Sequence, residues 1–187
     1  MSSRKRKKER EEKAVVLDYL SHGHVNKSSS GTPIIQVVGK KQFTLLELVP
    51  KEETSFELLE ELYIGSDDRP KIKHVKKRVS YNDLTTTAKG ELKHAVKQIV
   101  QDKEKEYVDF FNNAKPLSTR THLLQMLPGI GKKNMQQIVK ERRIKDFESF
   151  DDLKNRVRSM KKPAELVTKR ILSELEGNEK NFLFVKR

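Results

Sequence analysis

The chain of 187 residues has no cysteine and no tryptophan. The first absence excludes a disulfide framework, a thiolate zinc site, an iron–sulfur cluster and a cysteine nucleophile. Aromatic residues amount to only 6%, which leaves little material for stacking. No window approaches the roughly 18 apolar residues that span a bilayer. The apolar run Ala14 to Leu17 that follows the basic start is cut by Asp18, too short for a secretory segment. These absences lead us to expect a cytoplasmic protein that uses no membrane, metal or other cofactor.

Apolar residues are also scarce, at 34%, against roughly 45–50% (a figure that includes Gly) in an average soluble domain. The length suits one ordinary domain or two small ones. Two small cores joined by charged helices fit the composition better than one large core. Charge is what the chain has in excess: 36% of residues, with 40 Lys and Arg against 27 Asp and Glu, a formal net charge of +13. That balance favours a polyanionic partner. The excess is uneven, with net charges of +4 over residues 1–13, +1 over 14–115 and +8 over 116–187. The middle is itself polarised, because Arg69 to Arg78 holds six basic residues and no acid, while Glu52 to Glu61 holds five acids and no base.

Residues 1–13 have little to bury and read as a disordered basic tail, either solubilising or a phosphate-binding arm. Ala14 to Leu20 and Pro33 to Val38 are β-branched runs separated by a Gly/Ser/Asn-rich stretch, and Gly39-Lys40-Lys41 turns into a third strand over Gln42 to Val49. Thr54-Ser55-Phe56-Glu57 has the form of a capping box, which predicts a two-turn helix carrying Phe56, Leu59 and Leu62. Leu62 to Gly65 and Pro70 to Tyr81 follow as strands, with a bulge expected near His74. Five short strands with a helix between the third and fourth is the element order of an OB-fold, so 14–84 is expected to be a small OB-like barrel. From Thr85 the apolar period becomes helical (Leu92, Val96, Ile99, Val100, Tyr107, Val108, Phe111). One long connecting helix is predicted over about 86–112, within a segment 85–115.

The most informative stretch runs from Leu123 to Val139. Two apolar helical stripes flank Leu127-Pro128-Gly129-Ile130-Gly131, and Lys132-Lys133 follow. Glycine permits positive φ and close approach of another backbone, and Ile130 can anchor the turn. A helix starting at about Gly131 leaves main-chain amides free, and these amides with the helix dipole suit an anion. The predicted grip is therefore the amides of Gly129, Ile130 and Gly131 with the ammonium groups of Lys132 and Lys133. The alternative is a tight helix–helix turn with no ligand. A shift of thirty-three residues lays Leu127 on Met160, Ile130 on Pro163 and Ile138 on Ile171. Residues 116–187 thus hold two related hairpins; the second lacks the glycines but offers Lys161 and Lys162, with Lys169 and Arg170, as point charges. In the barrel, Lys71, Lys73 and Lys77 are expected on one face of the last strand and Lys76 and Arg78 on the other, forming a backbone-binding surface with few aromatics to stack.

The Pro-Gly-Ile-Gly-Lys turn resembles the helix-hairpin-helix motif of nucleic-acid-binding proteins, except that Met135 stands where that motif usually has Ala. From Tyr63-Ile64-Gly65, Arg69-Pro70-Lys71-Ile72, Tyr81 to Thr85, Leu127 to Lys133 and Phe147 to Phe150, the chain is similar over residues 14–187 to an archaeal family known as domain of unknown function 655. The resemblance implies an α+β multidomain architecture: an OB-like β-barrel, a long connecting helix and an all-α paired helix-hairpin-helix domain. It implies nucleic-acid binding but no reaction.

Other readings are weaker. His22-Gly23-His24 is the only close histidine pair and lacks the ligands of a metal site. Lys133 and Asp151 have the separation found in helix-hairpin-helix DNA repair enzymes, but Asp151 sits in Ser149-Phe150-Asp151-Asp152, a capping box in which Ser149 opens a helix, and no large helical domain is present to hold a flipped base. The expected function is a non-enzymatic nucleic-acid-binding protein without strong sequence specificity, RNA favoured over DNA. The alternative is an assembly or adaptor protein within an information-processing complex, using the acidic stretch Glu52 to Glu61.

Overall fold

The computed structural model describes residues 10–24 and 31–186. The expected tail therefore lies outside it up to residue 9, as does the centre of the Gly/Ser/Asn-rich loop. The chain divides into two compact units. One runs to Ala95 and takes in the segment from Phe184; the other is Val96–Leu183.

The first unit is built on five antiparallel strands, β1 (Lys13–Leu20), β2 (Ile34–Gly39), β3 (Leu45–Pro50), β4 (Glu61–Tyr63) and β5 (Ile72–Arg78), in the neighbour order β4-β1-β2-β3-β5. They form a curled sheet, a half-barrel. β1 and β2 are buried on both faces, which explains their continuous apolar sequences. Ala14, Val16, Ile35, Val37, Leu46, Leu48, Leu62, Ile64 and Ile72 form one core on one side of the sheet. Each of its larger aliphatic side chains contributes about 1.5–3 kcal/mol by leaving water.

Three expectations change here. No helix forms over 54–62: Leu59 donates its N–H to Val16 O, Val16 donates to Glu60 O, and Leu59 has φ +65°. The segment prolongs the β4 edge along β1, because pairing with the otherwise open edge of β1 satisfies more main chain than two isolated helical turns would. The acidic stretch that an adaptor would present is thus not a helix. Glu61 is paired with Lys13 and Lys40, and Glu60 with Lys71. Next, the bulge expected near His74 is present, but β5 loses register against β3 on both sides of that residue: Glu47 faces Lys77, Leu48 faces Val75, Val49 faces His74 and Pro50 faces Ile72. Lys76 and Lys73 are the extra residues, so the simple alternation of the basic side chains fails, and Lys77 faces the same side as Glu47. Finally, Glu11 to Lys13 belong to this unit rather than to a tail. The buried Glu11 carboxylate accepts N–H bonds from Lys41, Gln42 and Thr44 at 2.8, 2.8 and 3.2 Å.

The predicted long helix is two helices, α1 (Thr86–Asp102) and α2 (Glu104–Asn113), interrupted at Lys103, which leaves helical geometry at φ −113°, ψ 28°. The unit boundary falls within α1, so the expected separate segment 85–115 is not one body. In the second unit follow α3 (Lys132–Ile144), α4 (Phe150–Arg156) and α5 (Pro163–Glu176). Ser149 caps α4 by accepting from Asp152 N at 3.0 Å, the predicted capping role. Tyr107, Phe111, Leu124, Leu127, Ile138, Leu153, Val157, Val167 and Ile171 are buried and form this unit's apolar interior. The Phe182–Val185 stretch, whose alternating apolar residues suggest a strand, is not one. Among the described residues no helix is long and apolar enough to cross a membrane.

Candidate nucleic-acid interface

The first arm of the predicted hairpin is shorter than its sequence suggests: Leu123–Met126 form a single 3-10 turn. His122 caps it, its Nδ1 accepting from Leu124 N at 3.2 Å while Gln125 Oε1 accepts from His122 N at 2.9 Å. An acceptor at Nδ1 requires the neutral ring. Burial, with the Arg142 guanidinium second, holds the His122 pKa below its usual value. Arg142 donates to the carbonyls of Phe111 and Ala114, both at 2.8 Å, and so ties α3 to the end of α2. Arg156 closes the same C-terminal end of α3, donating to Glu141 O at 2.6 Å and Lys145 O at 2.7 Å over the ring of Phe147.

The bend follows. Leu127 N donates to Leu124 O and Ile130 N to Leu127 O, both at 3.2 Å. Ile130 is 4% exposed. It is the anchor its position suggested, but its amide is taken, so the predicted donor role at Ile130 is corrected. Gly129 holds φ +83°, where a side chain is strained. Gly131 is different. It is the N-cap of α3 at φ −81°, ψ 179°, an ordinary extended conformation, and a Cβ built there meets nothing within 4 Å. The first N–H of this region that closes a helical bond is Met135 N, to Gly131 O at 3.0 Å. Among the described residues, the amides of Gly129, Gly131, Lys132, Lys133 and Asn134 have no acceptor. Lys132 and Lys133 are exposed and pair with no carboxylate among the described residues.

The second bend repeats one main-chain bond and the buried positions of the first thirty-three residues on, while its helix starts two residues earlier in that register. Met160 N donates to Val157 O at 2.8 Å, as Leu127 N does to Leu124 O, and Met160, Pro163 and Ile171 are buried like Leu127, Ile130 and Ile138. Its anion-binding capacity is lower. Pro163 has no N–H, and the amides of Glu165 and Leu166 both go to Lys162 O. Lys162 pairs with Glu165 at 2.9 Å, while Lys161 is exposed. Arg170, expected as a surface point charge, is 4% exposed. It donates to Glu174 Oε1 at 2.8 Å, Met126 O at 2.9 Å and Asn181 O. It is a strut behind the first bend. The i,i+4 spacing to Glu174 is the only local signal for this, because Met126 and Asn181 lie outside α5.

In the first unit, the basic strand is less free than its composition suggests. Lys71 donates to Ser55 O at 3.1 Å and to Glu60. Lys77 lies 3.5 Å from Glu47 Oε2. Arg78 reaches the Thr44 hydroxyl at 3.5 Å. Lys73, exposed, and Lys76, half-buried, have no such partner among the described residues. Glu47 is fully buried and accepts from His24 Nε2 at 2.6 Å and Gln36 Nε2 at 3.2 Å. Burial raises its pKa, but the bonds to His24 and Gln36 and the charge of Lys77 outweigh burial and hold it below the usual carboxylate range. The aromatic rings that could stack on bases are occupied too: Phe43 is buried, Tyr19 tilts against Phe56 at 5.2 Å, Tyr63 bonds Asp67, and Lys89 covers Tyr81.

Among the described residues no three His, Asp or Glu side chains come together as a metal site. Asp151 is exposed in the first turn of α4, and no ion pair joins it to Lys133 among the described residues.

A curled antiparallel half-barrel and a helical unit built on two related bends define an α+β chain of a recognisable kind. It belongs to the family described as "Protein of unknown function (DUF655)", whose model matches residues 10–186. It is 44% identical over 175 residues to "Uncharacterized protein MJ0038" of Methanocaldococcus jannaschii, covering 92% of this chain and 79% of that protein. The crystal structure of Af1531 from Archaeoglobus fulgidus, of the same family, is similar with a TM-score of 0.86 at 38% identity, covering 94% of this chain and all of that one.

Proposed function

We propose that this chain is a non-enzymatic nucleic-acid-binding protein that grips the phosphate backbone without strong sequence preference, with RNA favoured over DNA. In this reading the first unit is an OB-like partial barrel and the second a paired helix-hairpin-helix body. The neighbour order of the strands supports the first assignment, and the thirty-three-residue repeat of one main-chain bond and of the buried positions supports the second.

The observation that carries the proposal is the set of amides at Gly129 and Gly131 to Asn134 that find no acceptor among the described residues, beside Lys132 and Lys133, which find no carboxylate among them. Unbonded N–H groups at a helix start, with the positive end of its dipole, suit a phosphate. Gly131 adds to this. Neither its φ nor its neighbours require glycine, so the missing side chain serves clearance for something outside the chain. Lys73 and Lys76 of β5, and Lys161 of the second bend, would supply secondary phosphate contacts.

Substituting Gly131→Asp places a carboxylate over the same amides. Asp is a good N-cap, so stability should hold or rise by about 0.2–0.5 kcal/mol. Affinity for a mixed-sequence single-stranded RNA, followed by fluorescence anisotropy, should fall at least about tenfold, because the phosphate loses charge-assisted donors and meets a like charge. Undiminished affinity in a folded Gly131→Asp protein would sink the reading.

A further inference from the structure

Beside the bend lies a cleft lined by Gly129, Gly131, Lys169, Arg170, Ser173 and Glu179, among others. A carboxylate of the chain itself sits in its wall. Glu179 Oε2 is 2.8 Å from Arg170 Nη1, and Glu179 Oε1 accepts from the Ser173 hydroxyl at 2.8 Å. Arg170 does not need this partner for neutrality. Its guanidinium is already matched by the buried Glu174, whose Oε1 takes Arg170 Nε and also Leu183 N at 2.7 Å. Glu179 is thus a second acid on one guanidinium, partly open to solvent while Glu174 and Arg170 are enclosed.

We propose that Glu179 is a built-in stand-in for a nucleic-acid phosphodiester, which displaces it from Arg170 Nη1 and Ser173 Oγ when a strand crosses the bend. This rests on the reading of the bend as a phosphate grip and gives that grip a second subsite and an internal competitor. The chemistry selects the diester. A carboxylate and a phosphodiester each carry one negative charge on two equivalent oxygens, and here each oxygen has one donor. A dianionic terminal phosphate would add a further negative charge beside Glu174. Lys169, exposed on the same wall, offsets the incoming charge. The exchange costs one ion pair and forms another, so Glu179 moderates affinity without abolishing it.

The test is Glu179→Gln in the full chain, with a fluorescein-labelled single-stranded RNA carrying either a 5′-hydroxyl or a 5′-phosphate. The variant should bind about fivefold tighter than the unaltered protein at low salt, the factor that competition from one partly exposed ion pair represents. The two RNA ends should bind alike. Unchanged or weaker binding would mean that Glu179 only clamps the segment after α5, and a preference for the 5′-phosphate would overturn the diester assignment. In the 15N-labelled unaltered protein, the 5′-hydroxyl RNA should shift Arg170 and Ser173 resonances together with Gly131, and shifts confined to Gly131 would also overturn the subsite. Failure of the bend itself has a separate signature, since Gly131→Asp would then leave affinity untouched.

Discussion

His122 shows how a single residue couples the candidate site to pH. It caps the turn that leads into the bend, and it does so only as the neutral ring. Its pKa is depressed in the folded state, by burial first and by Arg142 second. The unfolded chain therefore takes up the proton first, and the stability His122 contributes is complete above about pH 6.5 and is lost as pH falls from there through the folded pKa. It is the only histidine of Val96–Leu183. Amide exchange at Leu124 should accelerate as pH falls from 7 toward 5, after correction for the intrinsic rate. His122→Asn, which keeps an acceptor at the cap, should flatten that dependence; an equally steep profile in the variant would refute the role. Glu47 behaves in the same sense at lower pH: its pKa is also depressed, so its contribution is present above the normal carboxylate range and lost on acidification. Glu47→Ala should cost about 1–3 kcal/mol in denaturant unfolding, because His24 and Gln36 lose their acceptor while the half-exposed Lys77 recovers water.

At the scale of elements, the turn between β2 and β3 is held by an acid from before β1. A Cβ built on Gly39 would lie 2.1 Å from Glu11 Cδ, so Glu11 can hold this position only with glycine at 39. Gly39→Ala should expel the Glu11 carboxylate from three amides and cost about 2–4 kcal/mol. In a Glu11→Ala background the same change should cost much less, and additive losses across the cycle would refute the coupling. Neither partner could be read from the sequence, where Glu11 looks like the end of a solvated charge run. Legibility followed the range of the cause. The β-branched runs of β1 and β2, the Ser149 cap and the anchoring of Ile130 are written in adjacent residues, and each is found where the sequence placed it. The stretch 54–62 also had a local helix signal, but main-chain pairing with Val16 outweighed it. The break at Lys103 had no local signal, since Asp102-Lys103-Glu104 is compatible with a continuous helix. The site divides in the same way: the Pro-Gly-Ile-Gly-Lys bend is local, whereas the loss of Arg170, Lys71 and Lys77 to internal partners is tertiary.

Over the whole molecule, the distribution of charge decides which unit should lead in binding a polyanion. The net +13 is concentrated toward the C-terminal third, and there Lys132 and Lys133 stand beside amides without acceptors among the described residues. In the first unit Lys71 and Lys77 are partly neutralised by Glu60 and Glu47, leaving Lys73 and Lys76 of the five strand cations without a hydrogen-bonding or ionic partner among the described residues. Paired neutral substitutions separate these contributions without moving the backbone. For single-stranded RNA, log K falls by about 0.7 per decade of salt for each phosphate contacted. Lys132→Gln with Lys133→Gln should therefore flatten the slope by about 1.4 if each lysine holds one phosphate, and should weaken binding alike on unrelated sequences. Lys73→Gln with Lys76→Gln should flatten it by less than about 0.7, because an exposed edge lysine without adjoining amides holds a phosphate only part of the time. Anisotropy titrations from low to moderate salt give both slopes. If the strand pair flattens the slope more than the bend pair, the half-barrel is the principal contact and the bend a secondary one.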